Sequence, residues 1–136
     1  MLKRVHHINL VVRDLDTAVE RYAVLEPGEV LFEELQGRGV RTARFRVGES
    51  WIVLVQPTDP DGVPGQYLAR HGEGLFLLSF EVESLEESRA TLPPELLDGD
   101  CRRGIENWLV SDLASEEFFG AQLQLTQERD GGAEGK

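Results

Sequence analysis

Two stretches of this chain can be laid over one another seventy residues apart. Ile8-Asn9-Leu10-Val11-Val12-Arg13-Asp14-Leu15-Asp16 falls on Leu78-Ser79-Phe80-Glu81-Val82-Glu83-Ser84-Leu85-Glu86. Alternating apolar residues, a helix-capping Asp or Ser, a leucine and an acid coincide in order. Ile52-Val53-Leu54-Val55-Gln56 falls likewise on Leu123-Gln124-Leu125-Thr126-Gln127, at a shift of 71. An internal duplication explains both matches, so whatever the first half folds into, the second must repeat.

Local patterns say what is repeated. Residues 5–12 alternate as a strand, with His7, Asn9 and Val11 on one face. Asp14 caps a helix whose stripe is Leu15, Ala18, Val19, Tyr22 and Leu25, and Pro27-Gly28 stops it. Strands are expected at 29–36, 40–47 and 51–56, with a loop at 57–64. A short helix at 65–71 ends at Gly72, a residue suited to the C′ position. The pattern then restarts: a strand at 75–82, a capping box Ser84-x-x-Glu87, and a helix stopped by Pro93-Pro94. A short extended piece at 96–99 and strands at 105–111 and 121–127 complete it. The fold class expected is α+β, two tandem β-α-β-β-β modules (about 4–57 and 73–128) forming curled sheets around a cavity. Residues 1–128 make one domain, and 129–136 a flexible tail.

Charge excludes several partners. Acids outnumber bases 25 to 14, for a net charge of −11. Nucleic acid and anionic bilayers both require a basic footprint, so neither is expected. No apolar run nears the roughly 20 residues of a membrane helix, and no signal peptide is expected. Cys101 is the single cysteine, which excludes an intrachain disulfide and favours a cytoplasmic home.

Few residues offer catalytic chemistry. Of the three histidines, His6 and His7 are neighbours on a strand and point to opposite faces, while His71 ends a helix. Cys101 lies in a loop beside Arg102 and Arg103, with no base marked for it. Gly37-Arg38-Gly39 joins two strands and is no phosphate cradle, because no helix follows. The cavity face carries His7, Asn9 and Val11, then Trp51, Val53 and Val55, then Leu75, Leu77, Ser79 and Glu81, then Gln122, Gln124 and Thr126. The seventh strand adds either Asn107, Leu109 and Ser111 or Glu106, Trp108 and Val110. An apolar lining with one imidazole, an indole and a few amides suits a small organic ligand, or else fills a core. Arg38, Arg41, Arg44 and Arg46 form an acid-free basic run. They border the cavity for an anion, or make a solvated face paired with Glu33 and Glu34.

The doubled module, the opening His7-Ile8-Asn9-Leu10-Val11-Val12-Arg13-Asp14-Leu15, the segment from Pro64 to Val82 and the closing Gly120-Ala121-Gln122-Leu123-Gln124-Leu125 resemble the vicinal oxygen chelate superfamily. That group holds glyoxalase I, methylmalonyl-CoA epimerase, bleomycin-resistance proteins and extradiol dioxygenases. Tyr67-Leu68-Ala69-Arg70-His71-Gly72-Glu73-Gly74-Leu75 is similar in particular to the glyoxalase and epimerase branch. The resemblance implies a divalent metal held from positions His7, Val53, Leu77 and Gln124, and an acid–base glutamate near Thr42. Only His7 and Gln124 of those four can ligate, so no metal and no cofactor are expected. The expected function is binding of a small organic molecule through His7, Asn9, Arg44, Trp51, Gln122 and Gln124. A lyase or epimerase with an altered or metal-free site is the alternative, and a regulatory homodimer with a vestigial cavity is a third. Catalytic residues stay unassigned. A homodimer is expected, since relatives of this length pair and sheet edges need covering.

Overall fold

The computed structural model describes residues 1–128, and the expected tail at 129–136 lies outside them. The chain divides into two compact units: residues 7–76, here module one, and residues 1–6 with 77 onward, here module two. Strand β1 (Leu2–Val11) and strand β5 (Gly74–Val82) each run from one unit into the other. Among the described residues, no helix is long and apolar enough to cross a membrane.

Module one follows β1 with helix α1 (Leu15–Tyr22) and strands β2 (Leu31–Leu35), β3 (Val40–Val47) and β4 (Ser50–Pro57). Asp14 caps α1 as expected, its side chain accepting the Thr17 N–H at 3.1 Å. The sheet order is β2-β3-β4-β1, with β2/β3 and β3/β4 antiparallel and β4 parallel to β1. Register assigns every side chain to a face. Leu10, Ala43 and Leu54 lie under α1 with Leu15, Val19 and Tyr22, and form that module's core. Helix α2 (Val63–His71) closes module one, with Gly72 at its end at φ 80°. Its Gly65 is wedged against the Asp59–Pro60 loop, where a Cβ would stand 2.4 Å from the Asp59 carbonyl oxygen.

Module two repeats the plan. After β5 come helix α3 (Leu85–Thr91) and strands β6 (Leu97–Arg103), β7 (Leu109–Leu113) and β8 (Leu123–Gln127). Ser84 caps α3 by accepting the Glu87 N–H at 3.1 Å. The order is β5-β8-β7-β6, with β8 parallel to β5 and the other pairs antiparallel. Val82, Leu85, Leu113 and Leu125 make the core.

Three expectations for module two need correction. The extended piece expected at 96–99 is the start of β6, which continues to Arg103. A register shift between Asp98 and Arg102, with Gly99 at φ 80°, breaks the alternation that would have revealed it. The strand expected at 105–111 begins only at Leu109, because residues 104–108 reverse the chain between β6 and β7. Glu106 and Asn107 both sit at positive φ there, in a turn closed by Gly104 N–H to Trp108 O at 2.9 Å. Cys101 is therefore not a loop residue. It lies in β6, half-buried against the module's core, where the apolar contact makes it a packing residue.

Candidate binding faces and family membership

In each module the strands present a helix-covered face and an open face. In module one the open face collects every second residue: His7, Asn9 and Val11 of β1, Trp51, Val53 and Val55 of β4, Thr42, Arg44 and Arg46 of β3, and Glu33 of β2. The pairings His7 with Trp51, Val53 with Arg44 and Thr42 with Glu33 lay these side chains in adjacent rows. Val11, Val53 and Val55 form an apolar floor, and His7 is buried beside it.

Polar groups stand on that floor in a defined arrangement. Arg44 is only 3% exposed, and its Nη1 donates to Glu33 Oε1 at 3.0 Å. Its guanidinium lies 5.2 Å from the Trp51 ring centre. The exposed Arg46 covers the same indole at 4.4 Å and donates to the Glu49 carbonyl at 3.0 Å. Thr42 donates its hydroxyl to the Glu33 carbonyl at 3.0 Å. Asn9 Oδ1 is buried and has no hydrogen-bond partner among the described residues. The basic run is thus divided. Arg44 and Arg46 belong to the open face, whereas Arg41 lies on the helix side near Gln56 and Asp16.

Module two's open face carries Ser79 and Glu81 of β5, Gln124 and Thr126 of β8, Val110 and Asp112 of β7, and Arg102 of β6. Register therefore chooses Val110 over Leu109 and Ser111, while Glu106, Asn107 and Trp108 precede β7. Ser111 instead faces α3, where its hydroxyl meets Arg89 at 2.5 Å. Gln124 is 5% exposed and donates from Nε2 to Asp112 Oδ1 at 3.2 Å. Arg102 holds both oxygens of Asp112. Gln122 lies half-buried, two residues ahead of Gln124 and before β8 begins.

A second cluster in module two was not anticipated from the sequence. His6 is fully buried, edge-on to Trp108 with ring centres 4.5 Å apart, and its Nε2 is 3.1 Å from Glu128 Oε1. Arg4 bridges Glu128 and Glu81. Burial lowers the His6 pKa, while Glu128 and Glu81 pull it back and Arg4 adds to the lowering. Alternation along β1 placed His6 opposite His7, but Glu81, Trp108 and Glu128 lie 75 or more residues away and left no local signal. His71, by contrast, is exposed at the end of α2, its ring 4.4 Å from that of Tyr67.

These faces belong to a known class. A model of the Glyoxalase/Bleomycin resistance protein/Dioxygenase superfamily matches residues 6–111, and the chain belongs to that superfamily. Among curated proteins it is 24% identical over 130 residues to the uncharacterized protein YqjC of Bacillus subtilis, covering 93% of each chain. Among solved structures, a variant of Streptomyces coelicolor methylmalonyl-CoA epimerase in complex with 2-nitronate-propionyl-CoA superposes with a TM-score of 0.87. It is 26% identical, over 96% of this chain and 100% of that one. The methylmalonyl-CoA epimerase of Mycobacterium tuberculosis shares the fold, with a TM-score of 0.87 at 24% identity over 95% of this chain and 90% of that one. The α+β fold expected from the duplication is that of the superfamily.

The metal that the superfamily implies does not fit the residues present. Of His7, Val53, Leu77 and Gln124, two are hydrocarbon side chains without a lone pair, and Val53 is fully buried. One imidazole and one neutral amide leave a divalent charge uncompensated, whereas stable sites bring three or four donors.

Proposed function

We propose that this chain binds a small organic molecule without a resident metal ion, and that His7, Asn9, Arg44 and Trp51 are its contacts on module one. The observation that carries this reading is Asn9 Oδ1, a buried acceptor without a protein partner on a face floored by valines. A buried acceptor left alone costs about 1–3 kcal/mol, so it is better explained by a group that donates to it. Trp51, flanked by Arg44 and Arg46, offers a flat cationic edge that favours a planar or anionic group. Gln122 and Gln124 are proposed as ligand contacts of module two.

A thermal-shift screen of small organic acids and amides tests this. A true ligand at about one hundred times its dissociation constant stabilises the protein by about 2.7 kcal/mol. Asn9→Ala should remove that stabilisation without lowering the unliganded melting temperature. A screen with no stabilising compound, or a ligand indifferent to Asn9→Ala and Trp51→Ala, would reject the reading.

The likeness to epimerases supports a second reading, proton transfer at a carbon acid. Its requirement is a general base, and Thr42 cannot be one at neutral pH. Glu33, paired with Thr42 in register, is the carboxylate on that face, but it is held by Arg44. Deuterium exchange into methylmalonyl-CoA, followed by NMR, separates the readings. The binding reading predicts no exchange; exchange lost in Glu33→Gln would establish the second. In both readings we propose a cytoplasmic homodimer that covers the sheet edges at β2 and β6. Sedimentation showing only a 15.2 kDa species would refute the dimer.

A further inference from the structure

The open face of module two holds a polar triad of Arg102, Asp112 and Gln124. Asp112 and Gln124 are cross-strand partners on β7 and β8, and Arg102 reaches Asp112 from β6. A buried glutamine can present either end of its amide. Here the choice is forced, because a carboxylate only accepts hydrogen bonds and must face the amide nitrogen. Gln124 Nε2 donates to Asp112 Oδ1 at 3.2 Å, and Gln124 Oε1 therefore points away from it. That oxygen is buried, and it has no hydrogen-bond partner among the described residues. The neighbouring hydroxyls do not supply one. Ser79 and Thr126 lie 2.5 Å apart and bond each other, and Ser79 also donates to the Gln124 backbone carbonyl at 3.2 Å. Arg102 Nε is likewise buried with no partner among the described residues. The triad thus offers one fixed acceptor and one fixed donor, and the ion pair cancels its own charge.

We propose that Asp112, backed by Arg102, locks Gln124 as an acceptor, so that this face takes an uncharged carboxamide in preference to a carboxylate. The carboxamide N–H meets Gln124 Oε1, and its carbonyl accepts from Arg102 Nε. A carboxylate would set a second acceptor against Gln124 Oε1 and leave that atom buried and unmatched. Asp112 acts here through Gln124 and is a positioning residue. The proposal rests on the small-molecule reading above and narrows it to a ligand class.

The test uses benzamide and benzoate, two probes of one shape that differ in the donor. In the full chain labelled with ¹⁵N, benzamide should shift the Gln124 side-chain amide resonances and bind about tenfold or more tightly than benzoate, the discrimination expected of one well-placed hydrogen bond. Asp112→Asn, which frees the Gln124 amide to turn over, should erase that preference while Asn9-dependent binding on module one persists. Equal affinities, a preference for benzoate, or benzamide leaving Gln124 unmoved would overturn the proposal. If other compounds still stabilise the protein through Asn9, only this inference fails; if nothing binds, the functional reading fails with it. A measurement without ligand guards against a misfolded variant. In the wild type, a Gln124 side-chain proton must show protection from exchange through its bond to Asp112. Free exchange of both protons would also overturn the proposal.

Discussion

Gln127 Oε1 accepts the backbone N–H of Leu85 at 2.8 Å, the first amide of α3. Module one contains the same device: Gln56 Oε1 accepts the N–H of Leu15, the first amide of α1, also at 2.8 Å. The two pairs are related by the shifts of 70 and 71 residues that relate the two halves of the sequence. In each module a glutamine near the end of the last strand satisfies a helix amide that no backbone carbonyl can reach. The duplication is thus preserved down to a single hydrogen bond.

The bond should matter equally in both halves. Gln56→Leu and Gln127→Leu each leave a half-buried helix amide unmatched and should cost about 1–2 kcal/mol. Urea unfolding of each variant measures this. A change below about 0.3 kcal/mol in either would show that the bond does not stabilise that module.

His6 makes stability pH-dependent in a defined direction. Its folded pKa lies below the ordinary value of 6.5, because burial opposes the charged form. The unfolded chain therefore binds the extra proton more readily. Stability is fully present above the unfolded pKa and is lost as pH falls through 6.5 toward the folded value. Urea midpoints should decline on acidification below about pH 6.5, and His6→Gln should flatten that part of the profile. A wild-type midpoint that rises in this window would mean that the carboxylates of Glu81 and Glu128 outweigh burial.

Gly65→Ala tests a close approach inside a helix. An alanine in place of a helical glycine ordinarily gains about 0.5–1 kcal/mol. At this position the added methyl would meet Asp59 O at 2.4 Å and Pro60 Cα at 2.8 Å, both backbone atoms that cannot swing away. We expect a net loss of about 1–3 kcal/mol by thermal or urea unfolding. A stabilised variant would show that the Asp59–Pro60 loop yields easily.

Metal content follows from the donor count. Protein dialysed against excess zinc, nickel or manganese should retain well below one equivalent by elemental analysis, since His7 and Gln124 alone cannot balance the charge. Near-stoichiometric retention that disappears in His7→Ala would reverse this and bring metal-assisted chemistry to the front.

Local residue patterns were enough to read the repeated module, the caps at Asp14 and Ser84, and strand β3 to the residue. Simple alternation along β3 also puts Arg44 and Arg46 on one face with Thr42, opposite Ala43 and Phe45. Those features are local: a cap needs residues three apart, and a strand face repeats every second residue. Module two was less legible, because Gly99 and a register shift interrupt β6, and two left-handed residues, Glu106 and Asn107, turn the chain without a strong turn motif. Long-range packing set Asp112 opposite Gln124, buried Arg44 while keeping the pairing with Glu33 that the sequence offers for a solvated face, and enclosed His6 with Trp108 and Glu128. Each depends on strand register or on pairing across long stretches of chain. A one-residue slip would turn every one of those side chains to the opposite face, and that register is set by the packed core rather than by any local pattern.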